Sequence, residues 1–292
     1  MGVIHLMRAL ICGVRAHVQL ESMAITDFRS VLQVVKKVKP DEVYNLAGQS
    51  SVGLSFRQPV DTMESISLGT LNLLEAIRFI ERDVRFYNAG SSESFGDTGS
   101  QPGNETTPFR PRSPYGVAKA AAFWEVANYR EAYGLFACSG ILYNHESQLR
   151  PRRFVTRKIV TSAARIAAGS GEKLRLGNLE IERDWGWAPE YVEAMWLMLR
   201  HPEPRDFVIA TGMVASLSEF VQTAFEEVQL DWKDHVETDP SLLRPTDIRR
   251  GYGDPSLAAR LLGWKARYHM RDVVKMMTQA EATGELAASV SS

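Results

Sequence analysis

Residues 88–119 read NAGSSESFGDTGSQPGNETTPFRPRSPYGVAK, and their reading decides the fold. The stretch opens behind a strand-like apolar run, Val84–Tyr87. It closes at the head of a helix whose apolar period runs from Tyr115 to about Tyr133. Tyr115 and Lys119 stand four residues apart, so a helix places both on one face. An ammonium beside a phenol favours the phenolate and lowers its pKa, which makes a usable general base near neutral pH. Ser91 and Glu93 wait at the end of the preceding strand. Hydroxyl, carboxylate, phenol and ammonium together form a complete acid–base set. Singly, each signal is weak, because Tyr-x-x-x-Lys is also a common surface pair and Ser-Ser-Glu after a strand is also a turn or helix cap. Their joint occurrence in this order carries the reading.

Upstream, Ala9–Gly13 and Val18–Leu20 read as short strands. Asp27 caps a helix that runs to about Val38 and is ended by Pro40. Glu42–Leu46 reads as a buried strand entering Ala47-Gly48-Gln49-Ser50-Ser51, and Ile66, Leu71, Leu74 and Ile77 mark the next helix face. Downstream come a strand at Leu135–Leu142 and a basic loop, Arg150-Pro151-Arg152-Arg153. A helix over 154–168 and a short strand at Leu174–Leu176 follow. After Arg183-Asp184-Trp185-Gly186, a helix spans Tyr191–Leu199, a strand Phe207–Ala210 and an amphipathic helix Leu217–Val228. A polar loop over 239–253 holds Arg244-Pro245-Thr246-Asp247, and helices near 255–262 and 270–285 end the chain. Strands alternating with helices at this spacing predict an α/β fold with a doubly wound parallel sheet. Residues 1–150 are expected to form the dinucleotide-binding part and 151–292 mainly a smaller, interleaved substrate-binding region, with a soft boundary. Trp185, Trp187, Trp196 and Trp232 are expected in the core.

The 292 residues suffice for a sizeable core, and a formal charge of −1 gives no argument for nucleic acid or an anionic membrane surface. Cys12 and Cys138 suggest neither a disulfide framework nor a metal site. The first twenty residues are interrupted by His5, Arg8, Arg15 and His17, too often for a membrane span. A cytoplasmic protein is therefore expected.

Several stretches together resemble one family. They are Tyr44–Phe56 (YNLAGQSSVGLSF), Asn88–Gly96 (NAGSSESFG), Pro108–Lys119 (PFRPRSPYGVAK), Gly140–Ser147 (GILYNHES), Phe154–Ile159 (FVTRKI), residues 177–196 and Arg244–Asp247 (RPTD). The chain resembles the GDP-mannose 4,6-dehydratases, within the extended short-chain dehydrogenase/reductase group. The likeness runs almost continuously from about Met23 to Trp264. Family members begin with a strand, a Gly-x-x-Gly-x-x-Gly turn that cradles the pyrophosphate, a helix and a second strand. No such glycine triplet occurs here. Either Ala9–Gly13 corresponds to the family's first strand, or Leu6–Leu20 corresponds to the segment before its third; the second alignment fits better. On either, roughly one βαβ unit is missing, through a mis-called start, an internal deletion or decay. A vacant groove beside the sheet and weak NADP affinity are expected.

The resemblance implies conversion of GDP-mannose to GDP-4-keto-6-deoxymannose and water, with NADP as a recycled hydride carrier. It assigns Tyr115 to the 4-OH proton and Lys119 to the phenol and the nicotinamide ribose. Glu93 would take the C5 proton and assist loss of the C6 hydroxyl, and Ser91, where many relatives have Thr, would bond the sugar's 4-oxygen. It implies cofactor contacts at Tyr44, Asn45, Leu46, Ala47, Gly48, Tyr115, Lys119, His145 and Arg150, and nucleotide-sugar contacts at Asn144, Val155, Lys158, Arg183 and Arg244. His145 alone reads equally as a structural histidine, and Arg183 and Arg244 as structural partners of Asp184 and Asp247. The Arg150 loop implies a homo-oligomer, a tetramer in which it reaches a neighbour's NADP, although Gln148 and Pro151 stand where the family has Pro and Gly. Two other readings compete: a remnant that keeps a sugar-nucleotide site without binding NADP well, and another nucleotide-sugar epimerase or reductase. Glu93 and Arg183-Asp184-Trp185-Gly186 weigh against the latter.

Overall fold

The computed structural model describes residues 18–282. Helix α1 (Phe28–Val38) starts where the Asp27 carboxylate accepts from the Arg29 N–H. It stops at Lys39, which adopts a left-handed conformation (φ 49°) just before Pro40. Strand β1 (Glu42–Asn45) follows. The chain then passes through short helical turns, including a π-type turn at Glu64–Leu68, into α2 (Gly69–Phe79). Strand β2 (Arg85–Ala89) leads to α3 (Pro114–Tyr133) and β3 (Ala137–Leu142). The sequence dictates the limits of α3. The Ser113 hydroxyl accepts from the Gly116 N–H at 3.0 Å, Pro114 needs no N–H in the first turn, and Gly134 closes the helix at φ 67°.

The remaining elements are β4 (Asn144–Glu146), α4 (Val155–Ala167), β5 (Leu174–Leu176), β6 (Glu182–Arg183), β7 (Trp185–Trp187), α5 (Ala188–Arg200), β8 (Phe207–Ile209), β9 (Ala215–Ser216), α6 (Leu217–Glu226), β10 (Val236–Thr238), β11 (Arg250–Gly251), α7 (Ser256–Leu261) and α8 (Met270–Ala282). The main sheet is parallel throughout, in the order β1-β2-β3-β8. Its central strand β3 is buried along its whole length, as a strand covered on both faces must be. Alternation along β2 sorts the two layers. Phe86 packs with α1, α2 and α3, while Tyr87 and Ala89 face α5, α7 and Trp264. Residues after 150 thus return to the main sheet through β8 and α5, while α4, α6 and α8 close a separate core around Ile159, Phe220 and Met277.

Three expectations change. Val18–Leu20 is not a strand; Val18 and Leu20 are exposed and pair with no neighbour among the described residues. Glu42–Leu46 is only half-buried, since β1 pairs with β2 alone among the described residues, which leaves Tyr44 exposed and Leu46 59 % exposed. Trp196 faces solvent beneath the Arg200 guanidinium rather than the core; Trp185 is buried as expected, and Trp187 and Trp232 are partly buried against the second core. Ala9–Gly13 lies outside the described residues. Among the described residues no helix is long and apolar enough to cross a membrane, and no cluster of His, Cys, Asp and Glu has the arrangement of a metal site.

Candidate active site

The carboxyl ends of β1, β2 and β3 carry the site, where ligands of open parallel sheets bind. Past Ala89 the chain turns through Gly90 into a short 3-10 turn, Ser92–Ser94, where the Ser91 hydroxyl accepts from the Glu93 N–H at 3.3 Å. The first turn of α3 lies directly on this turn. A Cβ on Gly116 would stand 2.7 Å from the Glu93 carbonyl oxygen, so only glycine permits the approach. Ser91, Glu93 and Tyr115 are thereby brought together, and the phenol feels both the Ser91 hydroxyl and the Glu93 carboxylate.

The charges in the site differ from the simple i,i+4 expectation. Burial pushes the Tyr115 phenol up to about 12; the Ser91 hydrogen bond and the Arg150 cation pull it back, and Glu93 adds to the rise. Lys119 does not depress it. Its ammonium donates to the Ala89 carbonyl at 2.7 Å and lies 5.9 Å from the Tyr115 ring centroid. Burial brings Lys119 itself down to about 8. Glu93 is raised chiefly by burial, against the pull of Arg183 and Arg244, with Asp247 adding to the rise.

Those two arginines share one carboxylate. Arg183, buried in β6, donates to Asp247 Oδ1 at 3.0 Å, and Arg244 reaches the same oxygen at 3.3 Å. Asp184 is not their partner. It accepts from the N–H and hydroxyl of Thr211 and from the Gly212 N–H, and burial raises it to about 6. Two guanidinium groups against one carboxylate, facing Glu93, leave a net positive rim suited to an anion such as a diphosphate.

At the end of β1, Asn45 is buried. Its side chain donates to Thr70 Oγ1 and Asn88 Oδ1 and accepts from the Ala47 N–H, which fixes the turn. Gly48 sits at φ 111°, where an added Cβ would meet Ile66 at 2.7 Å. Leu46, Ala47 and Gly48 thus follow directly on Asn45, the last residue of β1 and the one opposite Asn88 on β2.

The family model described as GDP-mannose 4,6 dehydratase matches residues 4–277. The chain belongs to the GDP-mannose 4,6-dehydratase family. GDP-mannose 4,6 dehydratase 1 of Arabidopsis thaliana is 48 % identical over 271 residues, covering 91 % of this chain and 75 % of the relative. The GDP-mannose 4,6-dehydratase of Sinorhizobium fredii is 44 % identical over 276 residues, 88 % of this chain and 79 % of its own. Among solved structures, RMD from Pseudomonas aeruginosa complexed with NADPH superposes with a TM-score of 0.81 at 23 % identity, over 90 % of this chain and 87 % of that one, a likeness of fold.

Other residues expected from the family resemblance have mixed surroundings. His145 donates from Nδ1–H to the Tyr143 carbonyl at 2.8 Å, stacks on Tyr191 at 4.7 Å, and is pushed by burial down to about 4, so it is neutral. Asn144 pairs in β4 with Trp185. Arg150 faces Glu146 at 3.2 Å and lies over the Phe154 ring at 3.8 Å. Tyr44 donates to Glu42. Val155 packs on the second core, and the Lys158 ammonium is bonded to the Arg175 carbonyl. Sequence reasoning missed Asp247 as the shared partner of both arginines, since only the three-residue spacing from Arg244 was visible in the chain.

Proposed function

We propose that this protein converts GDP-mannose to GDP-4-keto-6-deoxymannose and water, using NADP. The convergence of Ser91, Glu93 and Tyr115 on one turn, with the Arg183–Arg244 rim facing Glu93, carries this reading. NADP, when bound, supplies the acceptor for the C4 hydride and returns that hydride at C6. The residues that would hold its nicotinamide half are Leu46, Ala47 and Gly48, just past the end of β1, and the buried Lys119, tied to the Ala89 carbonyl at the end of β2. Tyr115 takes the 4-OH proton, and Ser91 donates to the sugar's 4-oxygen as it becomes a carbonyl. The 4-keto group acidifies C5. Glu93 then removes the C5 proton and delivers one to the departing C6 hydroxyl, which leaves as water. A carboxyl raised by burial suits both tasks, since it is a stronger base than a solvated one and holds its proton longer. Arg183 and Arg244 receive the diphosphate, and Asn144, Val155 and Lys158 line the nucleotide-sugar side. Tyr44, Asn45, His145 and Arg150 complete the cofactor side.

The same reading includes a cytoplasmic location and a homo-oligomer; exposed Val117 and Trp124 on α3 support the association alone. Incubation with GDP-mannose, with and without added NADP, tests the assignment by mass spectrometry. Loss of one water from the sugar nucleotide is expected, and an unchanged mass under both conditions overturns it.

A further inference from the structure

The anion rim and the acid–base turn come from distant parts of the chain, and one short segment is bonded to both. Arg110, Pro111, Arg112 and Ser113 lead directly into α3. On one side, the Arg110 N–H donates at 3.0 Å to the carbonyl of Ser94, in the turn that carries Glu93. On the other, the Arg112 carbonyl accepts from the Thr246 hydroxyl at 2.5 Å. Ser113 follows at once. Its hydroxyl accepts from the Gly116 N–H at 3.0 Å and its carbonyl from the Val117 N–H at 2.9 Å, which closes the first turn of α3 around Tyr115. Thr246 itself stands between Arg244 and Asp247, the residues that build the rim with Arg183. A single hydroxyl thus joins the loop suited to a diphosphate to the residue before the helix cap.

We propose that Thr246 is a positioning residue: it passes occupancy of the Arg183–Arg244 rim to the start of α3, and so to the placement of Tyr115. The inference rests on the proposed function for its effect on turnover, but the contact itself does not. A diphosphate on the two arginines fixes the loop that Asp247 already braces. Thr246, one residue from Asp247, then fixes the Arg112 carbonyl. Binding energy from a part of the substrate that does not react can in this way be used to place the groups that do. The loops are also tied elsewhere. The Gly103 N–H donates to the Tyr252 carbonyl at 3.0 Å, the Asp254 N–H to the Gly103 carbonyl at 2.9 Å, and the Tyr252 hydroxyl to the Ser100 carbonyl at 2.8 Å. Loss of the Thr246 hydroxyl therefore leaves the two loops together and cuts only the tie beside the helix cap.

Thr246→Val removes the hydroxyl and keeps the shape, and Thr246→Ser keeps the hydroxyl. Hydrogen exchange at the Gly116 and Val117 amides, with and without GDP, reads the tie in the full-length chain. GDP is expected to slow that exchange several-fold in the wild type and in Thr246→Ser, and to leave it unchanged in Thr246→Val. The Kd for GDP, measured by calorimetry, should stay within a few-fold in both variants, because the arginines and Asp247 are untouched. Turnover of GDP-mannose in the presence of NADP should fall about fivefold in Thr246→Val at unchanged KM, the scale of one hydrogen bond, and return in Thr246→Ser. A purely structural role would instead weaken GDP binding and lower turnover together. Thr246→Ala should match Thr246→Val and serves if the valine variant does not fold. Equal protection by GDP in Thr246→Val, no protection in the wild type, or a serine variant that behaves like valine overturns the proposal. If the wild type does not dehydrate GDP-mannose, the functional reading fails, and the exchange experiment still decides the tie.

Discussion

The Lys119 ammonium donates to the carbonyl oxygen of Ala89 at 2.7 Å, not to the phenol of the tyrosine one helical turn before it. The bond ties α3 to the end of β2 at the position where the proposed chemistry occurs. Burial holds Lys119 near 8 and Tyr115 near 12, so the lysine loses its proton first and the phenol keeps its own well above neutral pH. The kcat/KM profile for GDP-mannose should therefore go on rising with pH beyond 8, as the phenolate fraction grows. In Lys119→Met the rising limb should stay where it is, because Lys119 does not set the titration of the phenol, while loss of the tie to Ala89 lowers activity at every pH. A limb that moves to higher pH in that variant would show that the ammonium lowers the phenol.

Glu93 is asked to remove the C5 proton, and its carboxyl is raised by burial against the opposing pull of Arg183 and Arg244. Glu93→Gln keeps the shape and loses the base. Water loss from GDP-mannose, followed by mass spectrometry, should slow by about 10²–10⁴-fold. The KM should stay within a few-fold, because the arginines and Asp247 that build the anion rim are untouched. A KM effect with turnover intact would place Glu93 in binding instead.

The parts of this site that were readable in the sequence are the local ones. Ser113, Pro114 and Gly116 fix the start of α3 within four residues, so the placement of Tyr115 follows from short-range caps. Ser91 and Glu93 follow from the end of a strand with clear apolar pattern. What could not be read were partners set by tertiary distance. Arg183 adjoins Asp184 in sequence, yet neighbours on extended chain point to opposite faces, and its carboxylate is Asp247 on a distant loop. Lys119 meets Ala89 for the same reason, since nothing in the i,i+4 spacing reports a carbonyl on the neighbouring strand. The period of α5 predicted a helix correctly but could not say that Trp196 lies on its wet side. Strand β1 reads as buried from composition, whereas its burial depends on how many strands flank it.

His145 makes a stability prediction with a definite sign. In the folded protein burial depresses it from 6.5 to about 4, so the native state stays neutral while the unfolded chain takes up a proton. The stabilisation from keeping it neutral is fully present above pH 6.5 and is lost as pH falls toward 4, by about 3 kcal/mol. Asp184, raised to about 6, acts in the opposite sense: its contribution is present at low pH and lost as pH rises through 6. The difference between wild type and His145→Gln isolates the histidine. Denaturant midpoints should show the variant losing less stability than wild type between pH 6.5 and pH 4. Parallel curves would mean that the imidazole is protonated in the native state.

Gly116 offers a test of how closely the phenol and the carboxylate must be held. An alanine at a helix position ordinarily gains about 0.5–1 kcal/mol over glycine. Here its Cβ would stand 2.7 Å from the Glu93 carbonyl oxygen and 3.1 Å from Pro111 Cβ, and a backbone carbonyl cannot swing aside as a side chain can. Either the first turn of α3 or the Ser91–Ser94 turn must move. The net cost in stability should be roughly 1–3 kcal/mol. The cost in rate should be larger: a displacement on the order of 1 Å between acid–base groups lowers turnover by about 100-fold. Gly53→Ala, in a helical turn with nothing within 4 Å of the added methyl, is the control and should leave both unchanged or slightly raise stability. Thermal melts and steady-state kinetics on the two variants separate the outcomes. Gly116→Ala with normal turnover would show that the packing of α3 on Glu93 does not set the geometry of the reaction.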